Sequence, residues 1–537
     1  MNRLLTDIDS TLQQHSRSIT DFDIPRMSEN FRYHNNISSL IDDELSIPVS
    51  DTALASVSLL NPAQYYAFQT IIESIRQRKG GIYFIDGPGG SGKTFLYKSI
   101  LAHLRHAGHI VLATASSGIA ATLLPGGTTA HLRFKIPIPV EAGSFCKFAK
   151  MSEIHKLIQH CSAILWDEAP MSHRHVFEAV DRSLQDMLNT SEPFGGKVVI
   201  MGGDFRQVPP VLVNGTKFQI INASIVASPL WSTVQLLSLT ENMRAFGDRD
   251  FSEYLLRIGN GDEYTYDHDL VQIPTSMIIP WEGEHSITVL INTVFPDIKS
   301  SATISEYWED RALLTTLNDD VSLLNEKCLH LLCGEEMTYY SFDSVDDDRF
   351  NLYPQEFLNS ISAGTLPPHK LCLKKGTPIM LLRNLNPRIG LCNGSRLLCR
   401  HFSRNVIEAE ILTGEHKGKS VFLPRIPLKN AGDCNMPFEL TRKQFPVRLS
   451  FAITINKAQG QTIKHVGLYL PSPVFTHGQL YVALSRGVRA ANTKVLVKDG
   501  SLPSRSGTYT TNVVFKELLS KVIVQVHFFL LKFNLVP

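Results

Sequence analysis

Gly87-Pro-Gly-Gly-Ser-Gly-Lys-Thr94 follows the apolar run Gly81-Ile-Tyr-Phe-Ile-Asp86 and leads into Phe95-Leu-Tyr-Lys-Ser-Ile-Leu101. Strand, glycine-rich turn and helix, in that order, make a phosphate-binding P-loop. Gly87, Pro88, Gly89, Gly90, Ser91 and Gly92 form the turn, whose glycines let backbone N–H groups converge on phosphate oxygens. The helix N-terminus adds partial positive charge. Lys93 can reach the β and γ phosphates and Thr94 can hold Mg²⁺, so ATP with Mg²⁺ is the expected ligand.

Outward from this loop the pattern is α/β. Apolar runs ending at polar or Gly-rich turns recur at 82–85, 110–113, 163–166 and 198–201, with helical patterns between them. That alternation predicts a parallel sheet covered on both faces, with ligands at the carboxyl ends of its strands. Ile164-Leu-Trp-Asp-Glu-Ala169 ends one such run in two carboxylates. Asp167 suits the metal's water shell and Glu168 the attacking water. Val199-Ile-Met-Gly-Gly-Asp-Phe-Arg-Gln-Val-Pro-Pro210 ends another, where Gln207 can sense the γ-phosphate. Phosphoryl transfer needs cations at that phosphate. Arg244, closing Leu239-Thr-Glu-Asn-Met-Arg, and Arg486, closing Gln479-Leu-Tyr-Val-Ala-Leu-Ser-Arg, are the candidates. Gln64, in a helix with Asn61 as cap and Pro62 in its first turn, carries an amide suited to an adenine edge.

The chain has 537 residues, enough for several domains. With 43% hydrophobic and 19% charged residues it reads as ordinary folds with full cores. Its net charge of +1 does not announce a nucleic-acid binder, so any basic surface must be local. Residues 366–448 carry 15 Lys/Arg against 5 Asp/Glu, an excess that includes Lys374, Lys375, Arg383, Arg388, Arg396 and Arg400. Phosphate neutralisation dominates nucleic-acid affinity, so these are candidate strand contacts, with His131 and Phe134 as candidate stackers. The eight cysteines are scattered without a C-x-x-C pair, which speaks against a zinc module or disulfide scaffold and for a reducing compartment. No secretory signal is visible at the N-terminus, and the apolar stretch 522–537 is too short and too interrupted to span a bilayer. The N-terminus is not Arg/Ser-rich and holds several Asp, which disfavours a transit peptide; nucleus is expected, with mitochondrion as the alternative.

A second α/β stretch starts at 311–316, followed by a helical run over 319–332. Ser341-Phe-Asp-Ser-Val-Asp-Asp-Asp-Arg349 reads as an exposed acidic loop. Short β-like runs from 376 to 423 predict a small β-barrel, and α/β texture resumes at 447–455, 466–470 and 494–497. The expected organisation is an irregular lead-in (1–55), a first domain (56–245) and a second domain in two parts (246–375 and 441–510). The barrel is inserted at 376–440, and a tail covers 511–537.

The ordered motif set resembles the superfamily 1B DNA helicases, and within them the petite-integration-frequency family of 5′→3′ helicases, especially its Helitron branch. The resemblance covers roughly 56–515. It is carried by Ala113-Thr-Ala-Ser-Ser-Gly-Ile-Ala-Ala121, Gly126-Gly-Thr-Thr-Ala-His131, Gly202-Gly-Asp-Phe-Arg-Gln-Val-Pro-Pro210 and Leu256-Arg-Ile-Gly-Asn-Gly261. Leu391-Cys-Asn-Gly-Ser-Arg396, Phe451-Ala-Ile-Thr-Ile-Asn-Lys-Ala-Gln-Gly-Gln-Thr462, Tyr481-Val-Ala-Leu-Ser-Arg486 and the signature helix at 175–189 also match. The resemblance implies two RecA-like P-loop NTPase domains with a β-barrel insertion in the second. It implies Gln64 at adenine, Gln207, Arg244 and Arg486 at the γ-phosphate, and Gly460 and Gln461 in the nucleotide cleft. Thr128, His131 and Thr462 would lie along single-stranded DNA. One departure is Gly487, where an apolar residue is expected, with Val488 beside it as substitute.

The expected activity is an ATP-dependent 5′→3′ DNA helicase, a monomer acting on single-stranded and forked DNA in repair, recombination, replication or telomere maintenance. The alternatives are a motor-only fragment of a Helitron protein and a DNA-binding regulator that has lost its motor. A nuclease is not read: His173-Arg-His175 has the wrong middle residue, and Tyr65-Tyr66 and Tyr339-Tyr340 lack a nearby histidine site.

Overall fold

In the computed structural model the described residues are 39–522, apart from 242, 244–246, 268, 346–351, 363, 431–437 and 504. Two parallel sheets organise the chain. The first holds six strands: β1 (Gly81–Asp86), β2 (Ile110–Ala115), β3 (Thr128–Thr129), β4 (Cys161–Asp167), β5 (Val198–Gly203) and β6 (Val234–Ser238), in the order β3-β2-β4-β5-β1-β6. Every neighbouring pair is parallel. The apolar runs are continuous because both faces are covered. Ile82 and Phe84 enter one core and Tyr83 and Ile85 the other, as a two-residue period requires. The P-loop leaves β1, Asp167 ends β4 and Gly203 ends β5, so three expected motifs share one edge.

The second sheet is smaller. Arg311–Thr315, Ala452–Thr454, His465–Leu470 and Thr493–Val497 pair in parallel, with Arg311–Thr315 second in line. Leu313 and Leu496 face one core while Ala312, Leu314 and Val495 face the other. The chain is therefore two RecA-like lobes, as expected.

Between the parts of the second lobe lies an antiparallel module. Five strands, from Pro378–Leu381 to Val447–Leu449, form one sheet. A two-stranded sheet (Met337–Tyr340 with Lys370–Leu373) shares its core through Tyr339, Leu371 and Leu373. A three-stranded sheet (Phe342–Val345, Leu440–Gln444, Ile426–Lys429) completes the module. The antiparallel pairing thus spans 337–449, wider than 376–440.

The stretch expected as an exposed acidic loop is, over Phe342–Val345, a paired strand. Asp343 is buried there because Arg442 meets it at 2.6 Å. The lead-in is likewise not irregular over its described part: Ser39–Leu45 and Asp51–Ala55 are helices, the second capped by Ser50. The first is held by Glu44, which is buried against Arg133 (2.7 Å) and Arg105 (3.8 Å).

After Thr508–Thr511 pairs with Leu270–Ile273 in the second lobe, the chain crosses over. Phe515, Leu518 and Val522 then enter the core of the first lobe. Among the described residues no helix is long and apolar enough to cross a membrane, and no cluster of metal-ligating side chains occurs.

Candidate active site

A cavity of about 410 Å³ opens between the lobes. The first lobe lines it with Gly89, Gly90, Ser91, Gly92, Lys93, Thr94, Asp167, Glu168 and Gln207; the second contributes Gly460, Thr462 and Arg486. Residues separated by some four hundred positions thus meet in one cleft.

The P-loop turn depends on glycine where φ is positive, at Gly90 (93°) and Gly92 (78°). A Cβ at Gly92 would also fall 2.4 Å from Gln64 Nε2. Gln64 packs behind the loop: its Nε2 donates to the Ser91 carbonyl (3.2 Å) and its Oε1 accepts the Asn61 N–H (3.0 Å). Asn61 Oδ1 in turn accepts the Gln64 N–H, closing a capping box. Both ends of the Gln64 amide are thus engaged behind the loop, and Gln64 is buried and does not line the cavity. Lys93 donates to the carbonyls of Gly87 and Pro88 (3.2 Å for the second).

Asp167 and Glu168 are both buried. Burial raises the carboxyl of Asp167, and neighbouring Glu168 raises it further. Burial also raises Glu168, with Lys93 and Arg486 pulling the other way. Glu168 adopts φ 52° in the left-handed region, a strained conformation for a residue with a side chain. Asp167 Oδ1 accepts the Glu168 N–H (2.8 Å) and braces that turn. A divalent cation fits this donor set, because two buried carboxylates beside a threonine hydroxyl need positive charge. Thr94 and Asp167 are the residues to hold it.

Arg486 is buried, and its hydrogen bonds all go to neutral oxygens: Val482 O (3.0 Å), Gln461 O (2.8 Å) and Ser485 Oγ (3.0 Å). Its charge is thus oriented but not consumed by a bonded carboxylate. Gly487 is explained by close approach: a Cβ there would stand 2.1 Å from Thr493 Oγ1. An apolar side chain does not fit there. Gln207 is buried, lines the cavity and has an Oε1 without a hydrogen-bond partner. Arg244 lies outside the described residues. Gly460 stands beside Glu168, while Gln461 orients Arg486 through its carbonyl. Thr462, expected along DNA, is exposed at the rim of this cavity.

The expected strand contacts divide. Thr128 is half-buried and accepts from Arg133 Nε (3.2 Å). His131 is half-buried, and burial lowers its pKa. Phe134 is not a stacker: it is fully buried with its ring on Trp166, centroids 5.9 Å apart. Arg396 is also buried and donates to the carbonyls of Arg311 (3.1 Å) and Ser450 (3.3 Å). Lys374 donates to Leu329 O and Leu332 O. Arg400 pairs with Glu410 at 2.6 Å. Much of the basic excess is therefore spent on internal oxygens. Lys375 remains exposed, as do Lys370, Arg404, Lys419 and Lys443.

Residues missed from the sequence include Tyr481, Asp204 and His477. Tyr481 opens the motif that Arg486 closes, and nothing local to that motif signals a role for its hydroxyl. His477 is fully buried; its Nε2 bonds Phe205 O (2.8 Å) and its Nδ1 accepts the Phe515 N–H (2.9 Å).

The fold and cleft define a two-lobed P-loop protein of RecA type. A family model described as PIF1-like helicase matches residues 59–269, and one for the 2B domain of the DNA helicase Pif1 matches 356–402. Over those residues the chain is similar to the PIF1-like helicases. It is 29% identical over 423 residues to an ATP-dependent DNA helicase PIF1 of Xenopus laevis, covering 77% of this chain and 58% of that protein. The Homo sapiens helicase of the same name matches at 29% over 427 residues, with 78% and 58% covered. The chain thus spans somewhat over half the length of these relatives. Among solved structures, a Bacteroides Pif1 helicase in complex with ADP-AlF3 and ssDNA superposes with TM-score 0.60 at 23% identity, covering 85% of this chain and 96% of that one. The Candida albicans Pif1 helicase gives 0.58 at 21%, covering 87% and 98%.

Proposed function

We propose that the protein is an ATP-hydrolysing motor that moves 5′→3′ on single-stranded DNA and unwinds forked duplex, in the service of repair, recombination, replication or telomere maintenance. The observation that carries this is Arg486 of the second lobe lining one cavity with Lys93, Asp167, Glu168 and Gln207 of the first. A site completed by both lobes links hydrolysis to their relative position. The Xenopus laevis and Homo sapiens relatives, both ATP-dependent DNA helicases, support the same activity.

In this mechanism the P-loop amides and Lys93 take the phosphates, Lys93 exchanging its carbonyl partners for phosphate oxygens. Mg²⁺, held by Thr94 and Asp167, supplies charge neutralisation when bound. Glu168 orients the attacking water and accepts its proton. Gln207 and Arg486 stabilise charge on the γ-phosphate, and its loss releases the second lobe. A cleft of about 550 Å³ is lined by Thr128, Arg133 and Lys135 of the first lobe and by Leu385, Asn386 and His416 of the antiparallel module. It is the proposed strand path.

Strand displacement on forks carrying either a 5′ or a 3′ tail tests the proposal. Unwinding of the 5′-tailed fork alone, dependent on ATP, is expected. Unwinding of the 3′-tailed fork alone would reverse the polarity, and none on either would remove the helicase assignment.

A further inference from the structure

Tyr481 touches both halves of the cleft. It sits on the helix Gln479–Ser485, which delivers Arg486, and it is buried. Its hydroxyl accepts the N–H of Gly89 in the P-loop (3.1 Å) and donates to Asp204 Oδ2 (2.8 Å). Asp204 opens the loop that carries Gln207. Its Oδ1 takes the Arg206 N–H (3.1 Å) and Arg206 Nη1 (3.2 Å), and Gln207 Nε2 lies 3.5 Å from its Oδ2. Arg206 Nε continues to Asn260 Oδ1 (2.7 Å).

One hydroxyl therefore joins three things: the helix of Arg486, the phosphate loop and the loop of Gln207. A phenol can donate and accept at once, and only its protonated form does both. Burial raises the Tyr481 phenol far above its usual range, and the Asp204 carboxylate adds to this, so the proton stays. Burial would raise Asp204 too, but Arg206 and Lys93 outweigh it and keep that carboxyl below its usual range, a ready acceptor. The ring has no slack: a Cβ at Gly259 would fall 2.8 Å from its Cδ2. Neighbouring contacts hold the same seam. His477, four residues earlier, bonds Phe205 O, and a Cβ at Gly478 would stand 2.3 Å from Arg206 O.

Resting on the motor function proposed for this cleft, we propose that the Tyr481 hydroxyl is a positioning group. It registers the Arg486 helix against the P-loop and the Asp204–Gln207 loop, so that arginine and glutamine reach the γ-phosphate together. It touches no reacting atom. It acts through Arg486 and Gln207, and it links the γ-phosphate site to the relative position of the lobes.

Tyr481→Phe removes both hydrogen bonds and keeps the ring. In the full chain with saturating single-stranded DNA, kcat for ATP hydrolysis should fall about tenfold or more, as misalignment by a fraction of an ångström allows. KM for ATP and the affinity for ADP should stay within about twofold, while the affinity for ADP with aluminium fluoride falls in step with kcat. The melting temperature, followed in parallel, reports whether the fold is kept. In an Arg486→Ala background the same substitution should cost less than in wild type, only the part that passes through Gln207. A structural role would lower ADP binding, ADP–aluminium fluoride binding and stability together. Turnover within twofold of wild type, or a full additional loss in the Arg486→Ala background, would overturn the assignment. Absence of hydrolysis by the wild-type protein would sink the motor function instead. The joint is then read by energy transfer between labels on the two lobes, where Tyr481→Phe should lengthen the separation and an unchanged separation would refute it.

Discussion

Asp343 and Arg442, 99 positions apart, form a bidentate pair withdrawn from solvent, with Nη2–Oδ2 at 2.6 Å and Nε at 2.9 and 3.0 Å from the two oxygens. The remaining guanidinium hydrogens go to the carbonyls of Ile361, Pro367 and Leu358. The pair ties two strands of the antiparallel module to the end of the helix Gln355–Ser360 and to the segment that follows it. Asp343→Asn leaves a buried cation with a neutral partner and should lower the unfolding free energy by about 3–5 kcal/mol, measured by denaturant titration. Replacing the pair by apolar residues of like volume should recover much of that loss.

That pair marks where the sequence stops being legible. The first lobe could be read because each motif is local: Asp86 to Thr94, Trp166 to Glu168 and Gly202 to Gln207 each join a strand end to its own turn. Asp343 could not, because its partner is remote and an acidic run without that partner looks solvated. The same holds for Arg396 and Lys374, whose charges are spent on carbonyls from other segments. Phe134 follows an apolar motif and could stack or pack; the bulk of Trp166 decides for packing. Gly487 departed from the family pattern because its constraint, Thr493, sits in a strand whose approach no spacing reveals.

Phe134→Ala should act on the fold and not on the strand. A loss of about 3–5 kcal/mol of stability is expected from the cavity left against Trp166. Single-stranded DNA affinity of the folded fraction, read by fluorescence anisotropy, should stay within about twofold of wild type, since the site lacks a surface ring.

Asp167 governs a pH dependence. In the fold its carboxyl is raised to about 7, chiefly by burial and next by Glu168, against about 3.9 for a free aspartate. A raised carboxyl binds its proton more tightly folded than unfolded. The stability it contributes is whole below about pH 4 and is lost as pH rises toward 7. Without nucleotide or metal, the melting temperature of Asp167→Asn should therefore exceed that of wild type at pH 8, and the gap should narrow as pH falls and close only below about pH 4. Hydrolysis should be lost in the same variant.

Arg486→Lys should fail to restore what Arg486→Ala removes. Three oriented bonds to Val482 O, Gln461 O and Ser485 Oγ hold a planar guanidinium, which an ammonium cannot reproduce. Both variants should lower kcat by about 10³-fold or more while ADP still binds. Stopped-flow phosphate release would report the first and calorimetry the second.

The most direct test is steady-state ATP hydrolysis, with and without single-stranded DNA, by wild type and Lys93→Ala. Wild-type turnover should rise several-fold on adding the strand, and Lys93→Ala should hydrolyse nothing measurable while still binding it. Equal rates with and without DNA, or wild-type turnover in Lys93→Ala, would contradict a motor driven from this cleft.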